Sequence, residues 1–133
     1  MEPMARDECM SRFSAMLMDH FQEPRNQRPL SSADVVGTSG VPGQGRFLSL
    51  YLRLSEGRVA LATFECHGCG VTIACGSILT ELVEGRTLEE CAALTAKDLI
   101  AALDGIPADK QDRAGFALIA LQTALSQTRQ IAG

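Results

Sequence analysis

The chain carries no basic stripe. Its twelve Lys and Arg stand against sixteen Asp and Glu, a net charge of −4. Proteins that grip phosphate backbones need the opposite balance, which excludes nucleic acid as the main partner. No apolar run approaches the roughly 20 residues that a membrane span requires, so no membrane partner is expected. The N-terminus, with Glu2, Asp7 and Glu8, is acidic where a secretory signal would be basic and then apolar. The expected location is therefore the cytoplasm, where thiols stay reduced. An odd number of cysteines, five, fits free or metal-bound thiols better than a disulfide frame. No internal repeat or low-complexity tract is present. With 46% hydrophobic and 21% charged residues in 133, residues 1–133 are expected to form a single domain with a real core.

What the chain does have is a concentration of chemistry between Phe64 and Ser77. Cys66, His67, Cys69 and Cys75 fall in these fourteen residues. The stretch from Arg58 to Glu65 before it is β-leaning, and Val71, Cys75, Ile78 and Leu82 after it recur at helical spacing. Gly68-Cys69-Gly70 thus reads as a strand-to-helix junction. A thiol there lies beside the free N–H groups and the positive end of a helix dipole. Both favour the thiolate, the form that binds metals and attacks sulfur.

Around this centre, residues 7–21 read as a helix, with Met10, Phe13, Leu17 and Phe21 on one face and Pro24 ending it. His20 in its last turn reads as a favourable charge at the helix C-terminus, and Cys9 as a packing or surface thiol. Residues 22–45, rich in Pro, Gly, Ser, Asn and Gln, read as one long connection with a short edge strand at residues 33–38. This connection leads into a strand and lacks a Lys-Ser/Thr ending on a helix, so it is not a phosphate loop. Arg46 to Leu54 alternates, with Leu48, Leu50, Leu52 and Leu54 on one side. Ser55-Glu56-Gly57 turns the chain, and Arg58 to Cys66 returns antiparallel with Ala60, Ala62, Phe64 and Cys66 on one face. Helices then follow over residues 71–84, from a capping box at Thr87 to Leu94, from Thr95 to near Gly105, and from Asp109 to Ile131. Cys75 and Cys91 lie on apolar helix faces and read as packing residues. The order predicts an α+β fold: a small antiparallel sheet of about three strands with helices packed on one face, an N-terminal helix and a long C-terminal helix.

Several separated motifs resemble the IscU/NifU N-terminal family of iron–sulfur cluster scaffold proteins. They are Asp19-His20-Phe21 with Pro24-Arg25-Asn26, the leucine-alternating strand, Gly57, Phe64 followed by Gly68-Cys69-Gly70, the helix with Ile73-Ala74 and Ser77, and Leu94-Thr95 through Asp98-Leu99, Leu103, Gly105, Pro107 and Lys110. The likeness spans roughly residues 16–126. It implies a non-enzymatic protein of iron–sulfur cluster assembly that holds a small cluster on three cysteines, helped by an aspartate and often a histidine. It also implies a cysteine desulfurase, or another assembly protein, as partner. Against that pattern Cys69 matches the second cysteine. Gln44 stands at the first, Arg46 at the aspartate, and Asp112-Arg113 at the adjacent histidine and cysteine. A guanidinium donates hydrogen bonds but cannot ligate.

Three functions stay open. Cys69, Cys66 and Asp112 could hold metal, as a 2Fe–2S cluster or a single iron or zinc ion, with a homodimer completing the site. Alternatively, no metal binds. Cys69 then accepts persulfide as the SufE-type sulfur acceptors do, with Arg46 and Arg113 stabilising the anion; a Cys66–Cys69 dithiol pair is a variant of this. Lastly, the chain could be a non-catalytic binding partner of a desulfurase that kept the fold alone.

Overall fold

The structure is a computed structural model and describes residues 13–132. The chain runs through α1 (Ala15–Gln22), β1 (Val35–Gly40), β2 (Phe47–Ser55), β3 (Arg58–His67), α2 (Gly70–Val83), α3 (Leu88–Ala92) and α4 (Ala96–Ala102). A 3₁₀ turn (Ala108–Lys110) then leads into α5 (Asp112–Ala132). The three strands form one antiparallel sheet in the order β1-β2-β3. The expected α+β fold is present.

Leucine alternation makes β2 the centre of the sheet. Leu48, Leu50 and Leu52 are fully buried and, with Val35, Ala62 and Phe64, face the helices. The other face is polar: Thr38 and Ser49 share a hydroxyl hydrogen bond of 2.8 Å, and Tyr51 donates to Glu65. Two glycines let helices come close. A Cβ on Gly37 would lie 2.0 Å from the Ala120 carbonyl oxygen, where α5 crosses β1, and one on Gly76 would lie 2.6 Å from the Phe64 ring, where α2 crosses β3. The β2–β3 turn uses Glu56 (φ 54°) and Gly57 (φ 75°), the left-handed pair of a two-residue hairpin.

Three boundaries and one face differ from the sequence expectation. Ser14 caps α1 by accepting from the Leu17 N–H at 2.9 Å, so the helix starts at Ala15; Cys9 and Met10 lie outside the described residues. The edge strand is shifted to Val35–Gly40, and the last helix begins at Asp112 after the 3₁₀ turn. On β3, Arg53 pairs with Leu61 but Leu54 with Val59, so Ala60 is an extra residue opposite nothing. This bulge turns Ala60 outward, where it is exposed, and brings Val59 into the core. The capping boxes at Thr87/Glu90 and Thr95/Asp98 are both formed.

His20 also departs from the expectation. It is buried, 2% exposed, rather than a surface charge at a helix end. Its Nδ1 lies 2.7 Å from Ser77 Oγ, which accepts the Arg25 N–H at 2.8 Å. On the other side of the ring, Nε2 lies 3.5 Å from the Glu81 carboxylate. Burial first, then the charge on Arg25, lower the His20 pKa. Arg25 is itself paired with Asp19. Asn26 (φ 64°) donates to Thr80 Oγ1 at 3.1 Å and accepts the Phe64 N–H at 2.9 Å. The Asp19-His20 and Arg25-Asn26 pairs therefore bolt α1 and the following turn onto α2 and β3.

Candidate functional site

Strand β3 ends at His67, Gly68 bends the chain, and Cys69 is the N-cap of α2 with extended backbone (φ −76°, ψ 167°). The sulfur is exposed and lies 3.4 Å from the Thr72 hydroxyl. Partial burial by itself would raise the thiol pKa. Hydrogen bonding from the Thr72 hydroxyl and N–H, then from Arg113, then from the Val71 N–H outweighs this and brings it down to about 7. The helix N-terminus expected from the sequence thus acts through two specific N–H groups.

The other thiols are held in the opposite state. Cys66 is half-buried, and burial followed by the nearby Cys69 charge pushes its pKa up to about 11. Cys75 is fully buried in α2, with a pKa raised to about 12, and Cys91 is buried with a pKa of about 11. Both are packing residues, as their helix faces predict.

Of the two arginines, Arg113 is the one that lowers the Cys69 pKa, and its guanidinium donates to Asp112 and to the Asp109 carbonyl. Its Nε is buried without a hydrogen-bond partner. Arg46 stops one residue short. Its guanidinium lies 3.8 Å from Asp112 and stacks 4.2 Å from the centre of the Phe116 ring. Gln44 is exposed in the loop between β1 and β2. His67 is exposed as well.

This donor set does not fit a cluster or a closed metal site within one chain. Among the described residues no three His, Cys, Asp or Glu side chains gather as a metal-holding group, so Cys69, Cys66 and Asp112 are not assembled into one. The chemistry agrees with the geometry. Cys69 is the one low-pKa thiol of the four described, Cys66 would have to lose a proton it holds tightly, and Asp112 is committed to two arginines.

Sequence reasoning missed Thr72, which is fully buried at the third position of the helix beside the sulfur. The usable signal was a hydroxyl three residues after the N-cap cysteine. It also missed a cleft of about 190 Å³ walled by Phe13, Leu17, Met18, Phe21 and Val71, into which Cys69 opens. Among the described residues, Lys110 is the one charged residue lining it. The Phe21 ring lies against Gly70, where a Cβ would be 2.4 Å away.

Residues 12–132 match the family described as NifU-like N terminal domain. The chain is 35% identical over 113 residues to the iron–sulfur cluster assembly scaffold protein IscU 1 of Archaeoglobus fulgidus, covering 85% of this chain and 74% of that one. It is 45% identical over 109 residues to the nitrogen fixation protein NifU of Cereibacter sphaeroides, covering 82% of this chain but 44% of NifU. It is 32% identical over 122 residues to the IscU of Buchnera aphidicola, covering 89% and 95%. In fold it is similar to a nitrogen-fixing NifU-like protein (N-terminal) from Brucella abortus, with a TM-score of 0.67 at 18% identity over 90% and 93% of the two chains. The chain belongs to the NifU-like N-terminal domain family.

Proposed function

We propose that this protein works in iron–sulfur cluster assembly, and that its own contribution is to hold sulfur on Cys69. The observation that carries this is one exposed thiol with a pKa of about 7, framed by Thr72 and Arg113, among three other described thiols held protonated. Near neutral pH about half of Cys69 is thiolate, which keeps good nucleophilicity. The thiolate attacks the outer sulfur of a donor persulfide, R–S–SH. The donor S–S bond breaks, R–S⁻ leaves with the electron pair, and Cys69–S–SH forms, with no oxidant or reductant needed. Once this persulfide ionises, Arg113 supplies a cation beside it and an Nε–H with no other partner. The relatives named as scaffold proteins supply the assembly context. A cysteine desulfurase is the donor that suits the chemistry, and the cytoplasm the compartment that suits the thiols. Among the described residues no helix is long and apolar enough to cross a membrane.

The test is intact mass after incubation with a cysteine desulfurase and cysteine. The protein gains one sulfur atom, and Cys69→Ser gains none. Uptake that survives Cys69→Ser would move the site elsewhere. Anaerobic reconstitution with iron and sulfide is expected to leave well under one cluster per chain.

A further inference from the structure

Cys66 takes no part in holding sulfur on Cys69, yet the fold carries it to the same junction. It is the next-to-last residue of β3 and pairs with Leu48 of β2 on the helix-facing side of the sheet. The chain bends at Gly68, and Cys69 opens α2, which runs back over that side. A Cβ on Gly76 would lie 2.6 Å from the Phe64 ring and 3.1 Å from Leu48. Cys66 thus lies between Phe64 and the bend, on the side that the first turns of α2 cover, close enough for the Cys69 charge to act on it. Only His67 and Gly68 separate the two cysteines, the spacing of dithiols that close readily to a disulfide. Among the four described thiols these two alone reach solvent. Cys66 also borders an open groove of about 440 Å³ with Arg28, Phe47 and His67, a way in and out for small molecules.

A sulfur held as persulfide is two electrons short of the sulfide that iron–sulfur clusters contain. We infer that Cys66 reduces the sulfur carried by Cys69, so that the protein releases it as sulfide and closes a Cys66–Cys69 disulfide. The inference rests on Cys69 being the sulfur acceptor and adds what becomes of that sulfur. The ionised persulfide, Cys69–S–S⁻, takes the proton of the Cys66 thiol. The Cys66 thiolate then attacks the inner sulfur, Sγ of Cys69. The persulfide S–S bond breaks, and HS⁻ leaves with the electron pair and the proton that came from Cys66. The two cysteines lose two electrons between them and the departing sulfur gains two. An external dithiol reopens the disulfide and resets both thiols. Burial holds the Cys66 proton, so sulfur is stored first and released slowly.

The experiment loads the full chain with sulfur from a cysteine desulfurase and cysteine, then desalts it without oxygen or thiols. Non-reducing intact mass and sulfide in the filtrate are followed with time. The wild type is expected to pass from one sulfur atom heavier than the reduced chain to two hydrogens lighter, releasing one sulfide per chain. A non-reducing peptide map should then link Cys66 to Cys69. Cys66→Ser should load like the wild type, hold its sulfur at least tenfold longer and release no sulfide. Cys66→Ala, which leaves the half-buried position apolar, should do the same, with unchanged circular dichroism, so that the effect follows the thiol and not the new side chain. Cys75→Ser should load and release like the wild type. Equal retention of sulfur by the wild type and both Cys66 variants would overturn the inference. So would a wild-type sulfur that moves to Cys66 with no loss of mass, or a disulfide that joins two chains in place of the internal one. A wild type that never gains sulfur would fail at the loading step, which removes Cys69 as acceptor and this step with it.

Discussion

The two ends of one helical turn and a half treat the same functional group in opposite ways. At the start of α2, Cys69 faces solvent, meets two N–H groups, a hydroxyl and an arginine, and has a pKa of about 7. Six residues on, Cys75 lies in the core with no solvent and a pKa near 12. Distance along the chain is trivial; the difference is what surrounds each sulfur. Burial penalises the charged form wherever it occurs, and at Cys69 it still acts. Only there do donors outweigh it.

That contrast can be broken or sharpened. The largest effect is expected from Cys69→Ser, which should abolish the fast phase of iodoacetamide alkylation at pH 7 and all sulfur uptake, while Cys75→Ser abolishes neither. Peptide mapping of the alkylated protein reads both. Next, Gly76→Val drives a side chain into Phe64 and Leu48 and should cost about 1–3 kcal/mol by urea unfolding. Alkylation of Cys69 should stay unchanged, which separates interior from junction. Third, Arg113→Ala and Thr72→Val each remove one support of the thiolate. The Cys69 pKa should rise, and the alkylation rate at pH 7 fall by about three- to tenfold, with the melting temperature moved little for Arg113→Ala. In the wild type the rate should climb with pH around a midpoint of about 7 and level off above it; a midpoint as high as free cysteine would remove the contrast altogether.

The smallest effect belongs to the interior. His20 has a folded pKa below its ordinary 6.5. The unfolded chain therefore binds more protons below pH 6.5. Stability is complete above that value and declines as pH falls toward the folded pKa. Urea midpoints at pH 7.5 and 5.5 should show a loss that His20→Gln reduces.

Much of the fold could be read from residue order. A capping box at Thr87, a leucine strand with period two and a turn at Ser55-Glu56-Gly57 each carry their geometry locally, and each is found. The bulge at Ala60 was not legible, because it depends on how β3 registers against Arg53 and Leu54. His20 was misplaced because its partners sit 57 residues away. At the site, the exposed thiol of Cys69 at the strand-to-helix junction was legible. Arg46 was expected at the sulfur; its guanidinium lies 3.8 Å from Asp112 and stacks on Phe116.

Sequence alone determined that one cysteine would sit where a strand becomes a helix, since glycines and periodicity on either side fix that locally. Tertiary structure decided that Arg113 would help lower the Cys69 pKa, that Cys66 would stay protonated, and that a cleft would open beside the thiol. Those outcomes depend on burial and on groups brought together from distant parts of the chain, and no local pattern encodes either.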